Sequence, residues 1–194
     1  MIYIRWVDTN LPTQYEQHAT SLQQKKQWSA VKLFYRQHMA YARVSLKESV
    51  AVIYQHKATT FNTQSQLADQ HNMADSTVIS DTEVTKTGNI IAAVRIKHLG
   101  QYQLISGLLV APEQRRKALA TKLLNFIAPA LTPQKCFLFT NISLQRLYQQ
   151  QQFQLVSQQN MANLPAEIAQ LHQRYHNDDR PLIVMQLQCP SDIA

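Results

Sequence analysis

Residues 108–124 read LLVAPEQRRKALATKLL, an apolar strand that enters a basic turn and then a helix. The first backbone N–H groups of a helix have no intrahelical partners and carry the positive end of the helix dipole. A phosphate placed there can accept several hydrogen bonds. The basic run 115–117 adds charge, and the small side chains of Ala118 and Ala120 let a large ligand approach the main chain. The pattern suits a pyrophosphate, although a solvated basic helix start would use the same residue types.

A second group of residues follows the next predicted strand. Asn141 comes first, and Leu144, Leu147, Tyr148 and Phe153 follow it. Together with the basic turn, this order and spacing resemble the GNAT superfamily of acetyl-CoA-dependent N-acetyltransferases. The resemblance implies a mixed α/β (α+β) fold whose central sheet is mixed, largely antiparallel, splayed between two strands and flanked by helices. It also implies direct transfer of an acetyl group from acetyl-CoA to an amine.

The turn of that superfamily reads Arg or Gln, two residues, Gly, one residue, and Gly or Ala, after a strand that ends in Val-x-Pro. Residues 115–120, RRKALA, fit this turn, and residues 110–112, VAP, supply the strand end. Ala118 and Gln152 stand where the family has glycines. We expect Ala118 to fit because alanine is compatible with helical φ and ψ. The resemblance covers residues 90–156.

The resemblance implies a role for each matching residue. The pantetheine arm pairs like an extra strand with the main chain of the bulged strand, the turn amides cradle the pyrophosphate, and Asn141 contacts the arm or orders the splayed strands. Tyr148 takes the general-acid position, because a phenol with a pKa of about 10 is protonated at neutral pH and can donate to the departing coenzyme A sulfur. The residues implied to bind acetyl-CoA are Leu108, Leu109, Val110, Arg115, Arg116, Lys117, Ala118, Leu119, Ala120, Thr121 and Asn141.

The group that removes a proton from the amine is not assigned. Many relatives use a carboxylate on the bulged strand, but residues 102–110 contain no Asp or Glu. We expect Glu113 to support the helix start, where the dipole favours a carboxylate. A lone histidine such as His98 is more often structural than catalytic. Ser106 and a water relay stay open.

The whole composition is globular and basic. With 45% hydrophobic residues, the chain has enough apolar side chains for a single domain over residues 1–194. The net charge of +7 favours contact with an anion such as a phosphate. Cys136 and Cys189 form no CxxC pair, and His172 and His176 lack the acidic partner of an HExxH site. We therefore predict neither a metal site nor a disulfide scaffold.

The chain alternates between predicted strands and helices. Gly107, inside an apolar strand, predicts a β-bulge. Residues 57–89 are polar and poor in large apolar side chains, which predicts a mobile insertion, with a substrate lid as the alternative to a solvated loop. Strands are expected at 3–7, 50–54, 90–97, 102–110, 136–139, 153–156 and 182–187, and helices within 12–41, 119–127 and 143–151 and after Pro165.

Three functions are compatible with these observations. The first is N-acetylation of a primary amine on a small molecule, peptide or protein. The second is a non-catalytic acetyl-CoA-binding regulatory module, which the missing carboxylate suggests, and the third is acetylation of an RNA-linked amine, which the net charge suggests. No nucleic-acid motif is present, so a nucleic-acid partner is not expected. Because we see neither a signal segment nor about 20 consecutive apolar residues, we expect a cytoplasmic protein without membrane contact. Either a monomer or a homodimer is expected.

Overall fold

The computed structural model describes residues 1–7, 21–39, 41–56 and 88–189. Its strands are β1 (Ile2–Trp6), β2 (Ser49–Gln55), β3 (Asn89–Leu99), β4 (Tyr102–Val110), β5 (Cys136–Thr140), β6 (Phe153–Leu155) and β7 (Ile183–Leu187). They form one sheet in the order β1-β2-β3-β4-β5-β7-β6. Neighbouring strands are antiparallel except β4 and β5, which are parallel. The mixed, largely antiparallel sheet is confirmed.

The helices of the described residues are α1 (Ser21–His38), α2 (Leu119–Ile127), α3 (Gln145–Gln149), α4 (Gln158–Met161) and α5 (Ala166–Tyr175). The predicted strands and helices agree with them to within a few residues, and the short α4 was not predicted. The predicted helix at 143–151 begins as a 3₁₀ turn over Ile142–Leu144. Residues 12–20 of the first predicted helical region, and residues 57–87 of the predicted insertion, lie outside the described residues. None of the described helices is both long and apolar enough to cross a bilayer.

Different helices cover the two faces of the sheet. Helix α2 has apolar residues one turn apart, and Leu123 and Ile127 are fully buried against Leu138 of β5 in one core cluster. Helix α1 packs on the opposite face, where Val31 lies in a second cluster with Val52 of β2. We call these the α2 face and the α1 face. The two clusters therefore cover both faces of the sheet.

Strand β4 contains the predicted bulge. Ser106 lies opposite Arg95, whereas Leu109 lies opposite Ala93, so three residue steps on β4 match two on β3. Gly107, between them, has φ +59°. This left-handed conformation is strained for other residues and accessible to glycine. The bulge therefore uses a glycine where its main chain needs one.

The sheet opens between β4 and β5 beside this bulge. The two strands pair over three residues only, and the last pair is Ile105 with Leu138. Strand β4 then continues to Val110 and β5 to Thr140 without pairing to each other. This opening is the splay that the resemblance implied, and it places unpaired strand edges next to the basic turn.

Candidate functional site

Beyond the bulge, the main-chain N–H and C=O groups of successive β4 residues point alternately toward β3 and away from it. The N–H of Ala111 donates to the carbonyl oxygen of Ile91 at 2.9 Å. Because antiparallel strands alternate between bonded and non-bonded pairs, Leu109 also directs its main-chain groups toward β3. Those of Leu108 and Val110 point the other way, into the opening. An extended ligand arm can therefore pair with Leu108 and Val110, while Leu109 holds the strand to the sheet.

The basic turn between β4 and α2 contains two residues with a left-handed backbone conformation. Arg116 has φ +62° and Ala118 has φ +54°. Our expectation that Ala118 takes helical φ and ψ is wrong, because Ala118 is the N-cap residue of α2 and has the left-handed conformation. Left-handed residues within a turn direct successive N–H groups toward one side and form an anion-binding concavity. Ala118, which stands where the family pattern has a glycine, thus adopts a left-handed conformation that favours glycine.

The start of α2 has no side-chain cap. The carbonyl oxygen of Ala118 accepts a hydrogen bond from the N–H of Lys122 at 3.0 Å, which closes the first helical turn. The amides of Leu119, Ala120 and Thr121 have no intrahelical acceptor at this position. The first turn also contains no acidic residue. The helix start is therefore suited to an anionic ligand.

Three basic side chains lie in the turn that precedes this helix. Arg115, Arg116 and Lys117 are exposed. Nε of Arg115 lies 3.4 Å from the carbonyl oxygen of Val110, and Nζ of Lys117 donates to Oε1 of Gln114 at 2.9 Å. These contacts keep two of the three charges close to the turn. The turn thus combines oriented amides with positive charge.

Asn141 lies directly after β5, on the other side of the opening. Its Oδ1 accepts a hydrogen bond from the N–H of Ser143 at 3.0 Å and caps the 3₁₀ turn that leads into α3. Of the two roles that the resemblance allows, this bond supports ordering of the chain beside the splayed strands. Contact with the pantetheine arm stays a prediction.

Tyr148 lies on α3, buried on the α2 face with 6% of its surface exposed. Its ring packs against Phe153 with centroids 6.3 Å apart. Burial raises the pKa of Tyr148 to about 12, and a side-chain hydrogen bond with Thr140 at the end of β5 lowers it in part. The phenol therefore stays protonated at neutral pH but is a weaker acid than free tyrosine. Leu144 lies in the preceding 3₁₀ turn and is 47% exposed.

The residues considered as proton acceptors lie in different places. Ser106 directly precedes Gly107, and its Oγ is buried with no hydrogen-bond partner. His98 lies in the paired part of the sheet, where its Nε2 is 3.0 Å from Oγ of Ser49. Glu113 is exposed in the turn that precedes α2. Of these three, Ser106 is the residue next to the bulge.

A buried polar cluster lies under the bulge on the α1 face, and the sequence alone did not indicate it. Nη1 of Arg95 is 3.1 Å from Oε2 of Glu48 and 2.8 Å from the carbonyl oxygen of Arg43. The guanidinium lies 4.9 Å from the ring centroid of Tyr35, whose hydroxyl donates to the carbonyl oxygen of Gly107 at 2.7 Å. The available signal was Arg95 itself, a charge inside an apolar strand.

Among the residues that the structure describes, no group of three or more His, Cys, Asp or Glu side chains could hold a metal ion. His172 and His176 each lie within hydrogen-bond distance of the carbonyl oxygen of Leu182, at 2.9 and 3.1 Å. The thiol of Cys136 is buried, which raises its pKa to about 12. The two histidines are therefore held by the main chain, and Cys136 is a buried core residue.

The family model described as "Acetyltransferase (GNAT) family" matches residues 43–153. The chain belongs to the GNAT acetyltransferase family. Members of this family are generally acetyl-CoA-dependent N-acetyltransferases. The matched range contains the bulge, the opening, the basic turn and Tyr148, so the family assignment and the geometry concern the same part of the chain.

Solved structures share the GNAT fold with this chain. ElaA of Escherichia coli is 13% identical, with a TM-score of 0.55, and the match covers 97% of this chain and 100% of that one. An acyl-CoA N-acyltransferase from Pseudomonas aeruginosa is 13% identical, with a TM-score of 0.53 and coverage of 96% and 99%. N-acetylglutamate synthase from Neisseria gonorrhoeae, solved with coenzyme A and N-acetyl-glutamate, is 11% identical, with a TM-score of 0.51 and coverage of 96% and 35%. At these identities the likeness concerns the fold. A search of curated proteins found no match.

Proposed function

We propose that this GNAT chain transfers the acetyl group of acetyl-CoA directly to a primary amine of a small molecule, a peptide or a protein. One observation carries the proposal: the opening between β4 and β5 lies at the same end of the sheet as the uncapped start of α2. The opening suits an extended arm, and the helix start suits a diphosphate. Acetyl-CoA contains both groups, joined in one molecule.

The residues at the opening fit this co-substrate. The main chain of Leu108 and Val110 would pair with the pantetheine arm, because both residues direct their polar groups away from β3. The amides of residues 115–121 would bind the pyrophosphate, with the side chains of the basic run 115–117 adding charge. Asn141 would stabilise the far side of the opening through the turn that it caps.

In the proposed reaction the chain positions the thioester and the amine and donates one proton. The amine nitrogen attacks the thioester carbonyl carbon, so a C–N bond forms and the C–S bond breaks. The hydroxyl of Tyr148 donates a proton to the departing sulfur and recovers one from solvent, and the amine loses a proton to water. Holding the thioester and the amine together supplies most of the rate, because it removes the entropy of their encounter. The raised pKa of Tyr148 keeps the donor protonated at neutral pH until the C–S bond breaks.

Calorimetric titration with acetyl-CoA tests the phosphate site. The double variant Arg115→Glu, Arg116→Glu should weaken binding by about tenfold or more, because two charge-assisted contacts are lost and two repulsive charges gained. The matched control is Lys25→Glu, Lys26→Glu, which makes the same change in charge at exposed positions of α1. If the first variant binds as tightly as the control, the phosphate assignment is wrong.

Release of coenzyme A across a panel of amines tests turnover. We expect Tyr148→Phe to lower kcat by about a hundredfold while acetyl-CoA still binds, which is the usual contribution of a positioned proton donor. Saturable binding without turnover on any amine would instead favour the regulatory module, which is the reading that the lack of a carboxylate in residues 102–110 suggests. Binding to RNA that weakens steeply with salt would favour an RNA-linked amine as acceptor.

A further inference from the structure

The carbonyl group of Gly107 leaves the plane of the sheet and is bound by a helix. The extra residue of a bulge is left out of the ladder of hydrogen bonds, so its polar groups need other partners. The hydroxyl of Tyr35 donates to this carbonyl oxygen at 2.7 Å. Tyr35 lies on α1 and is fully buried. A side chain from helix α1, which packs on the sheet, therefore fixes the direction of the bulged peptide group.

Arg95 occupies the space directly beneath the bulge. A Cβ atom on Gly107 would lie 2.6 Å from Nε of Arg95. The guanidinium stacks over the ring of Tyr35 and is bonded to Glu48 and to the carbonyl oxygen of Arg43. These contacts approach the guanidinium from several directions. Tyr35 and Gly107 therefore cannot shift without moving a buried charge.

The burial of this ion pair is informative. Arg95 and Glu48 are each 6% exposed, and Nζ of Lys97 lies 3.9 Å from the second carboxylate oxygen of Glu48. The desolvation of a buried ion pair offsets most of its Coulomb attraction, so such a pair is a weak source of net stability. The geometry that the pair imposes on its neighbours explains its presence under the bulge better than stability does.

We infer that Tyr35 and Arg95 are positioning residues for acetyl-CoA binding. They turn the carbonyl of Gly107 toward the α1 face and so keep the main-chain groups of Leu108 and Val110 directed into the opening. The inference rests on the proposed function, which assigns the pantetheine arm to these two residues. Neither Tyr35 nor Arg95 touches a reacting atom, and both act through the main chain of β4.

The variant Tyr35→Phe tests the inference. It removes the hydroxyl and keeps the ring on which Arg95 stacks. We expect the Kd for acetyl-CoA to rise about five- to tenfold, which is the loss of roughly one hydrogen bond. We also expect faster amide hydrogen exchange at Leu109 and Ala111, whose N–H groups are directed toward β3, a local effect that a general loss of stability would not confine to the bulge.

The matched control is Tyr54→Phe. Tyr54 is 4% exposed and lies in the same core cluster on the α1 face as Tyr35. Its buried hydroxyl has no hydrogen-bond partner, so its removal should leave the Kd within about twofold of the wild type, since no contact is lost. The same substitution, at two buried tyrosines of one face, thus separates the bond to Gly107 from the loss of any buried hydroxyl.

A wild type that binds acetyl-CoA, together with a Tyr35→Phe variant that binds it equally well, overturns the inference and leaves the proposed function intact. A wild type that does not bind acetyl-CoA overturns the proposed function itself. Should Tyr35→Phe fail to fold, Glu48→Gln decides, because it removes the charge that holds Arg95 while keeping an acceptor oxygen. An unchanged Kd in Glu48→Gln would then overturn the inference, and a raised Kd would support it.

Discussion

The part of β4 before Ser106 and the part after it are supported in different ways. From Gln103 to Ile105 the strand has β3 on one side and β5 on the other. Beyond Ser106 it has β3 on one side and the opening on the other. There a glycine with positive φ and a hydroxyl from α1 take over the support that a second strand gives earlier.

This difference shows that an opening in a sheet needs contacts from outside the sheet. Unpaired backbone groups are unfavourable when they are buried, and an exposed strand edge invites pairing with another chain. In this chain the α1 face supplies the contacts through Tyr35 and Arg95, while the α2 face supplies Tyr148 beside the opening. Each face can therefore be tested by substitution without changing the paired half of the strand.

The largest effect is expected for Gly107→Ala. The left-handed φ costs alanine about 1–2 kcal/mol, and overpacking against Arg95, whose Nε lies 2.6 Å from the added carbon, costs about 1–3 kcal/mol more. We expect the free energy of unfolding, measured in urea, to fall by about 3 kcal/mol, from the sum of these two effects. Acetyl-CoA binding should weaken as well, because the bulge shifts.

Gly100→Ala is the control for this substitution. Gly100 has φ +57°, close to that of Gly107, but the nearest atom to its added carbon is Oε1 of Glu167 at 4.0 Å. Only the conformational cost applies, so the expected loss is about 1 kcal/mol. Equal losses at Gly100 and Gly107 would show that Arg95 is not packed against the bulge.

An intermediate effect on the free energy of unfolding is expected from the ionisation of Tyr148 at alkaline pH. In the unfolded chain a tyrosine ionises near its ordinary pKa of about 10, whereas burial raises the pKa of folded Tyr148 to about 12. Between these values the unfolded state binds fewer protons than the folded state, so stability falls as the pH rises. Tyr148→Phe removes this contribution, and the loss of stability between pH 9 and pH 11 should be smaller by about 1 kcal/mol.

Urea unfolding at pH 9 and pH 11 measures this difference, and Tyr41→Phe is the reference. Tyr41 is 66% exposed, so removal of its hydroxyl should leave the loss between the two pH values as it is in the wild type. If the free energy of unfolding falls as much between pH 9 and pH 11 in Tyr148→Phe as in Tyr41→Phe, burial on the α2 face does not raise the pKa of Tyr148.

The helices and strands were predictable because they depend on local patterns, whereas the opening was implied by the family resemblance. Apolar residues one turn apart predict α2, and Gly107 within an apolar strand predicts the bulge that the structure shows. The family pattern then relates the basic turn to the splay between β4 and β5. The assignment of individual residues to acetyl-CoA stays a prediction that the experiments above address.

The support beneath the bulge was not predictable from the sequence. The residues that form it, of which Tyr35 and Gly107 are the outermost, lie up to 72 positions apart in the chain, and only the packing of α1 on the sheet brings them together. The conformation of Ala118 was predicted wrongly for a related reason. Its φ depends on the path that the main chain must follow from β4 into α2, which the helical preference of alanine does not reveal.

The smallest effect, and a stabilising one, is expected for Ala118→Gly. An alanine at φ +54° is strained by about 1–2 kcal/mol, while glycine loses about 0.5–1 kcal/mol more chain entropy on folding. The difference favours glycine, so the free energy of unfolding should rise by about 0.5 kcal/mol. Ala120→Gly makes the same change within α2, where alanine has helical φ, and should lower the free energy of unfolding by about 1 kcal/mol. A loss at both positions would mean that the turn before α2 does not hold residue 118 in the left-handed conformation, and that the amides of the helix start are directed differently.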